Sequence, residues 1–583
     1  MTGGRDRTGE YRDMSAPHRA RIIGRKHMAA AGHYLAAQAA FQALEAGGNA
    51  VDAGVAGGIA LGVLQSEYVS FGGVAPIMIR MAETGEVVTL SGLGHWPALT
   101  DVEHFRRNGG RIPKGILRTV VPAAPDAWIT ALERFGTMSY GEVALAARRF
   151  AREGFAVPSL MTDIIAAHAE EYASWETSAP IFLPGGKPPQ PGDLFVQSDL
   201  ADTIDHMIAE EAAAAARGGR LAGLQAARDA FYRGDIARTI VAYHETNGGW
   251  LRMDDLANFR VEQETARRVS FRGMEVHSCG AWCQGPVLAQ TLGMLDGQDL
   301  VSLGHNSSAY IHRIVETLKL AYADRHAYFG DPNFVDVPLD ELLSPAYMSD
   351  RAKLVDTARA APGMPEPGLP RDFAAPAPHA ARPEDAVSEL DTSYVCTVDA
   401  AGNAFSATPS DGSAAAPVIP GLGFVPSNRG MQSWVEADAP AVLGPGRRPR
   451  LTPSPAMAVK PGEWVMPFGS PGNDVQPQAM LQTFLNIHLW GMAPQQAVDE
   501  PRFATFSYPR SSEPHSYDPG LLRVEARIGP DTQEELRALG HDVREWPEWE
   551  YAAGAVCTIV ANERTGMREG ASDQRRPTAV AGW

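Results

Sequence analysis

A layered α/β (α+β) fold is predicted from three observations. Small-residue helical segments alternate with short strand–turn–strand units along the chain. Apolar residues make up 44% against 21% charged, enough for a large buried core. No repeat of about 20–50 residues is visible, which removes solenoids and propellers. In chain order, LAAQAAFQALEAGGNAVDAGVAGGIALGVL reads as two helices around Gly47-Gly48. The glycines stop the first helix and Asn49 caps the second. The apolar stretch beginning at Met28 is read as amphipathic helix, and Ala and Gly on both faces allow close packing on a sheet. PIMIRM, ETGE and VVTLSGL form strand, turn and strand. DAWITALERF and the alanine-rich residues 207–227 are helical patterns. GMEVHSCGA is a strand, and Gly285-Pro286 opens the helix VLAQTLGML. SYVCTV alternates, turns at Ala401-Gly402-Asn403 and returns as a hairpin. WVMPFGSPGNDVQPQAMLQTFLNIHLW reads as strand, Gly-rich turn and helix.

Charge and composition narrow the function. The 51 Lys and Arg against 69 Asp and Glu give a net charge of −18 over 583 residues. Such a surface repels phosphate backbones and has no attraction to anionic lipid, so neither a nucleic acid nor a membrane partner is expected. No apolar run approaches about 18 residues, and no signal-type segment opens the chain, so the expected location is cytoplasmic. Residues 1–26 are Arg-rich and polar and read as a flexible tail. Four cysteines are too few for a disulfide framework. Cys279 and Cys283 lack the second pair a zinc site needs, and Cys396 and Cys557 read as core.

The common catalytic signatures are missing: no phosphate loop, no G-x-G-x-x-G between strand and helix, and no G-x-S-x-G around Ser470. His305 and His312 share a helix face without metal-ligand spacing and read as structural. One arrangement remains. Seven prolines fall within residues 361–383, and the Pro-rich arm 361–391 ends abruptly at Asp391-Thr392, where a regular strand begins. On composition alone the arm is an interdomain linker. If the chain broke there, Thr392 would carry a free α-amine beside its hydroxyl. An amine with pKa near about 7.7–8.0 can take the hydroxyl proton at neutral pH.

ALEAGGNAVDAGVAGGIALGV, SFGGVAPIMI, DTSYVCTVDAAGNAFSAT, RPRLTPSPAMAV, FGSPGNDVQPQAMLQ, AVDEPRF and GASDQRRPTAVAGW occur in this order. By them the chain resembles the γ-glutamyltranspeptidase family, N-terminal-nucleophile (Ntn) hydrolases made as self-cleaving precursors, from about His27 to the end. The resemblance implies a four-layer αββα sandwich: one domain made of two chains, a large subunit 27–391 and a small subunit 392–583. These would form a heterodimer, with a dimer of heterodimers left open. The family nucleophile, a Thr ten residues before the Gly-Asn of the turn, falls on Thr392, with the cleavage site at Asp391–Thr392. Its second hydroxyl falls on Ser410. The backbone N–H groups of its oxyanion hole fall on Gly472 and Asn473, and a further hydroxyl falls on Thr452. No metal or organic cofactor is implied.

The departures concern the acyl pocket. The family Arg that holds the γ-glutamyl α-carboxylate falls on Leu93 in SGLGHWPAL, and the acidic pair for the α-amino group falls on Gln432 and Ser433 in SNRGMQSW. A hydrogen bond to a charged group is worth roughly 1.5–3 kcal/mol, so two lost anchors cost about a hundredfold or more. The NRG, RPR-x-T and GND-x-QPQ segments are instead similar to the γ-glutamyltransferase-like amidohydrolase branch, whose members include acylases and an oxamate amidohydrolase. Arg429 and Arg450 are new positive groups for a substrate carboxylate. His95 and Tyr68 are weaker pocket candidates. Three readings stay open: an amidohydrolase of a small-molecule amide with a small or acidic acyl group, a γ-glutamyl hydrolase or transferase, and an uncleaved, non-catalytic binding homologue.

Overall fold

The computed structural model describes residues 19–371, 373 and 392–583, so Asp391 lies outside the described residues. Two seven-stranded antiparallel sheets face each other. The first runs Ala579–Gly582, Met28–Ala31, Val395–Val398, Ala404–Ala407, Ile77–Arg80, Val87–Leu90, Gln263–Thr265. The second runs Ile22–Gly24, Arg568–Ser572, Cys557–Asn562, Trp464–Gly469, Ala456–Lys460, Met274–Ser278, Arg267–Phe271. Period-two alternation sorts the side chains, because successive residues of a strand point to opposite faces. Met28, Ala30, Met78, Cys396 and Val398 meet Met457, Val459, Val465, Cys557 and Ile559 between the sheets. Ala29, Ala31, Ile77, Ile79, Val395 and Phe405 pack outward on one helical layer. Val276, Ala458, Met466 and Phe468 pack outward on the other. The result is four layers, αββα.

The helices Tyr34–Glu45 and Ala50–Leu64 lie on the first sheet, and Asn49 and Asp52 complete a capping box at the second helix. A Cβ on Gly54 would fall 2.1 Å from the Phe405 ring and one on Gly58 2.5 Å from Trp128. The small residues therefore set how near this helix approaches the sheet. The opposite layer contains Gly285–Leu295, Ser308–Tyr328 and Gln476–His488.

Two expectations are corrected. Met28–Ala31 is a strand, because Val395–Val398 and Ala579–Gly582 pair with it on either side. The expected tail 1–26 includes an edge strand, Ile22–Gly24, held in register by Arg568–Gly570. All four cysteines are free and buried. Among the described residues no helix is long and apolar enough to cross a membrane.

Candidate active site

The hairpin of Val395–Val398 and Ala404–Ala407 pairs Val395 with Ala407, and the same register extends to a bridge between Thr392 and Ser410. It brings their hydroxyl oxygens to 2.8 Å, both residues fully buried. The flanking backbone is fixed by Ser393 N–H to the Pro409 carbonyl at 3.0 Å and by Gly32 N–H to the Tyr394 carbonyl at 2.9 Å. On the far side, Ser410 and Val74 exchange backbone hydrogen bonds of 3.0 and 3.2 Å. Gly73 must be glycine there, since a Cβ would lie 2.3 Å from the Ser410 carbonyl. SFGG thus shapes the wall of the site.

Arg429, in the short turn Arg429–Gln432, donates to the Ser410 hydroxyl and lies 3.5 Å from the Asp411 carboxylate. Both ion-pair partners are fully buried. Asp411 also accepts from the Ser427 hydroxyl at 2.7 Å and the Asn428 N–H at 3.1 Å. Burial pushes the Asp411 carboxyl up to about 6, with Arg429 opposing the rise. A guanidinium can only donate, so Ser410 accepts from Arg429 and retains its own proton to offer to Thr392. Arg429, expected to receive a substrate carboxylate, already has its carboxylate in Asp411.

Strand Trp464–Gly469 leads into a turn where Gly472 has φ 118° and Asn473 φ 48°, and helix Gln476–His488 follows. N–H groups at a helix N-terminus suit a developing negative charge. Gln284 ties this turn to its neighbour by donating to the Asn473 carbonyl at 2.7 Å and the Thr452 carbonyl at 2.9 Å. The Thr452 hydroxyl accepts from Gln432 at 2.8 Å, and Gln432 also reaches Ser512 at 3.1 Å. Ser433 accepts from the Trp96 indole at 2.9 Å, while Leu93 packs between the sheets. None of the three offers a charge. Asp411 and Gln284 are components that the sequence reading did not name. Asp411 adjoins Ser410, but Gln284 carries no local signal.

The weaker candidates are engaged elsewhere. His95 contacts the Trp96 carbonyl at 3.2 Å and the Phe259 ring edge-on. The Tyr68 hydroxyl accepts from Gln65 at 2.7 Å. Ser470 donates to the Pro471 carbonyl and accepts from Ala555 N–H. His312, Glu316 and His541 place possible ligand atoms within 4.8 Å of one another. There His312 Nε2 donates to the Asp356 carbonyl at 2.7 Å, so Nδ1 accepts from His541 at 2.9 Å. The Lys319 ammonium lies 2.7 Å from Glu316. The Thr392 network described above does not include this cluster.

Four layers, with a hydroxyl residue opening a central strand of one inner sheet, are the architecture of an Ntn-hydrolase. The chain belongs to the γ-glutamyltranspeptidase family, whose model, Gamma-glutamyltranspeptidase, matches residues 36–583. It is 31% identical over 567 residues to the glutathione hydrolase-like YwrD proenzyme of Bacillus subtilis, covering 96% of this chain and 99% of that one. It is 32% identical to the acylase ACY 1 proenzyme of Pseudomonas sp. strain SE83, with 96% and 94% covered. To the oxamate amidohydrolase proenzyme of Klebsiella pneumoniae it is 29% identical, with 95% and 98% covered. A solved structure titled LmbA2991T421A superposes with a TM-score of 0.89 at 36% identity, covering 97% of this chain and 99% of that one.

Proposed function

We propose that this chain is a self-processing threonine amidohydrolase whose acyl group is not γ-glutamyl. The observation carrying the reading is the Thr392 hydroxyl, 2.8 Å from Ser410 at the start of a central strand, with Arg429 behind Ser410. In the precursor, Thr392 Oγ1 attacks the Asp391 carbonyl, the peptide C–N bond breaks, and water hydrolyses the resulting ester. The freed α-amine then accepts the Thr392 hydroxyl proton as Oγ1 attacks a substrate amide. The Gly472 and Asn473 N–H groups hold the tetrahedral oxyanion. The leaving amine takes the proton, and water releases the acyl group from Thr392. The products of processing, 1–391 and 392–583, stay together as a heterodimer, in keeping with the proenzyme names of the relatives.

The acyl assignment is supported by what occupies the γ-glutamyl anchor positions: Leu93 in an apolar layer, and Gln432 and Ser433 in neutral hydrogen bonds. The decisive variant is Thr392→Ala. Denaturing electrophoresis should show one 62.5 kDa band in place of two, with no amide turnover. Two bands, or retained turnover, would overturn the proposal. Turnover of a γ-glutamyl anilide should fall well below that of the best small acyl amide in a panel that includes oxamate, and the reverse order would restore the γ-glutamyl reading.

A further inference from the structure

The oxyanion turn is backed by one buried side chain, Arg325, on the helix Ser308–Tyr328. Its guanidinium lies 4.6 and 5.0 Å from the ring centroids of Tyr322 and Tyr508, which stack on each other at 3.8 Å. Nη2 donates to the Pro509 carbonyl at 3.0 Å. Nη1 reaches the Asp474 carboxylate, the Gln284 Oε1 at 3.1 Å and the Ser511 Oγ at 3.1 Å. Ser511 in turn donates to Asp474 from its N–H at 2.8 Å and from its hydroxyl at 2.7 Å. Burial opposes the charge of Asp474, but Arg325 and Ser511 outweigh it and hold the carboxyl below its ordinary value. Arg450, expected to receive a substrate carboxylate, is buried beside this residue, its Nη1 donating to the Arg325 carbonyl at 3.3 Å.

Two routes lead from the Arg325 guanidinium to the N–H groups of the turn. Asp474 follows Asn473 directly, and its carbonyl accepts from the hydroxyl of Tyr322, three residues before Arg325 on the same helix face. Gln284 is the second route. A guanidinium can only donate, so the Gln284 oxygen must face Arg325. That turns the amide NH2 to the Asn473 carbonyl at 2.7 Å and the Thr452 carbonyl at 2.9 Å. The Gly472 carbonyl accepts from Val475 N–H at 2.8 Å, and in a planar trans peptide this aims the Asn473 N–H the opposite way. Such support is needed, since Asn473 sits at φ 48°, a conformation that L side chains rarely adopt. The strand feeding the turn also touches the nucleophile strand: a Cβ on Gly469 would fall 2.2 Å from the ring of Tyr394, two residues after Thr392. We propose that Arg325 is the positioning residue of the oxyanion turn, fixing its N–H groups through Asp474 and through the Gln284 amide. This assignment rests on the amidohydrolase reading above. A donor held in place acts on the charge that develops in the transition state, so disturbing it lowers kcat and spares KM.

The test measures kcat and KM on the mature enzyme with the amide turned over best in the acyl panel. Arg325→Lys keeps a buried cation beside Asp474 but loses the planar fork that also reaches Gln284 and Pro509. Its kcat should fall about tenfold, with KM within about threefold of wild type. Arg325→Met/Asp474→Asn removes both charges of the pair, and its kcat should fall further, towards the roughly hundredfold loss of an oxyanion donor, again with KM held. Gln284→Met removes no charge and nearly keeps the side-chain length, so it tests the second route should the ion-pair variant fail to fold; the same split is expected. An unchanged kcat in Arg325→Lys or Gln284→Met overturns the proposal, as does a loss of kcat/KM that lies in KM alone. Adding Gln284→Met to Arg325→Lys should cost less than the two single losses multiplied, because both act on one turn. Fully multiplicative losses would mean that Arg325 does not work through the Gln284 amide, and would overturn that assignment. Failure of the amidohydrolase reading shows separately, as cleavage and turnover surviving in Thr392→Ala.

Discussion

Replacing Arg429 with methionine separates two effects that the structure combines in one side chain. Arg429 is fully buried, bonded to the Ser410 hydroxyl and 3.5 Å from Asp411. A hydrogen bond from a charged donor is worth about 1.5–3 kcal/mol, so losing the Ser410 contact should lower turnover roughly tenfold to a hundredfold. The second effect is on stability. Breaking a buried ion pair costs about 3–5 kcal/mol, because the remaining charge stays in the interior. Asp411 keeps its bonds from Ser427 and Asn428 but loses its cation. Burial already holds its carboxyl at about 6, and removing Arg429 pushes it higher. The unfolded value is near about 3.9, so the folded state binds the proton more tightly than the unfolded state does. The contribution of Asp411 to stability is therefore fully present below about pH 4 and is lost as pH rises through the folded value. Calorimetry from about pH 5 to pH 8 should show the Tm of Arg429→Met falling more steeply than that of wild type. The double variant Arg429→Met/Asp411→Asn removes the titrating group, so its Tm should recover and lose the added slope while turnover stays low. Recovery of turnover together with Tm would mean that Arg429 serves only as the counter-ion of Asp411. The role assigned to it through Ser410 would then be wrong.

The hydroxyl pair and the oxyanion turn give two further tests. Ser410→Ala removes the partner of Thr392, so turnover should fall roughly tenfold to a hundredfold and self-cleavage on a gel should slow. Ser410→Thr, which retains the hydroxyl, should restore both, and an active Ser410→Ala enzyme would show that the contact is packing alone. Gly472→Ala places a Cβ at φ 118° and 3.3 Å from the Gly554 Cα, so backbone strain of about 1–3 kcal/mol should lower both Tm and kcat. A kcat unchanged beside a lowered Tm would remove the Gly472 N–H from the oxyanion hole.

What the sequence disclosed, and what it withheld, follows from the range of the interactions involved. Thr392 and Ser410 face each other through a hairpin, so their separation along the chain fixes their pairing, and alternation in SYVCTV marks the strand that carries it. The small-residue helices were legible because Ala and Gly report how closely a helix can lie on a sheet. Met28–Ala31 has the local composition of a helix, because Ala and Met favour one, and it is the pairing with residues 395–398 and 579–582 that makes the segment extended. The edge strand Ile22–Gly24 depends in the same way on residues 568–570. Gln284 meets Thr452 across 168 residues, and no pattern around it announces the contact. Arg429 was visible as a new charge. Whether it faced a substrate or Asp411 depended on the fold of a single turn.

A chain that is to be cut and still function must have its new end held by contacts that do not pass through the cut bond. Residues 395–398 pair on one side with Met28–Ala31, which precedes the proposed cleavage point, and on the other with Ala404–Ala407, which follows it. The second sheet has the same mixed origin, with Met274–Ser278 beside Ala456–Lys460 and Ile22–Gly24 beside Arg568–Ser572. Ser393 is fixed by Pro409, and the Thr392 hydroxyl sits beside Ser410 through that same ladder. None of these contacts uses the Asp391–Thr392 peptide. If the chain is processed as proposed, the sheet that positions Thr392 before cleavage also retains it afterwards, and separating the two products would mean unpairing strands in both sheets.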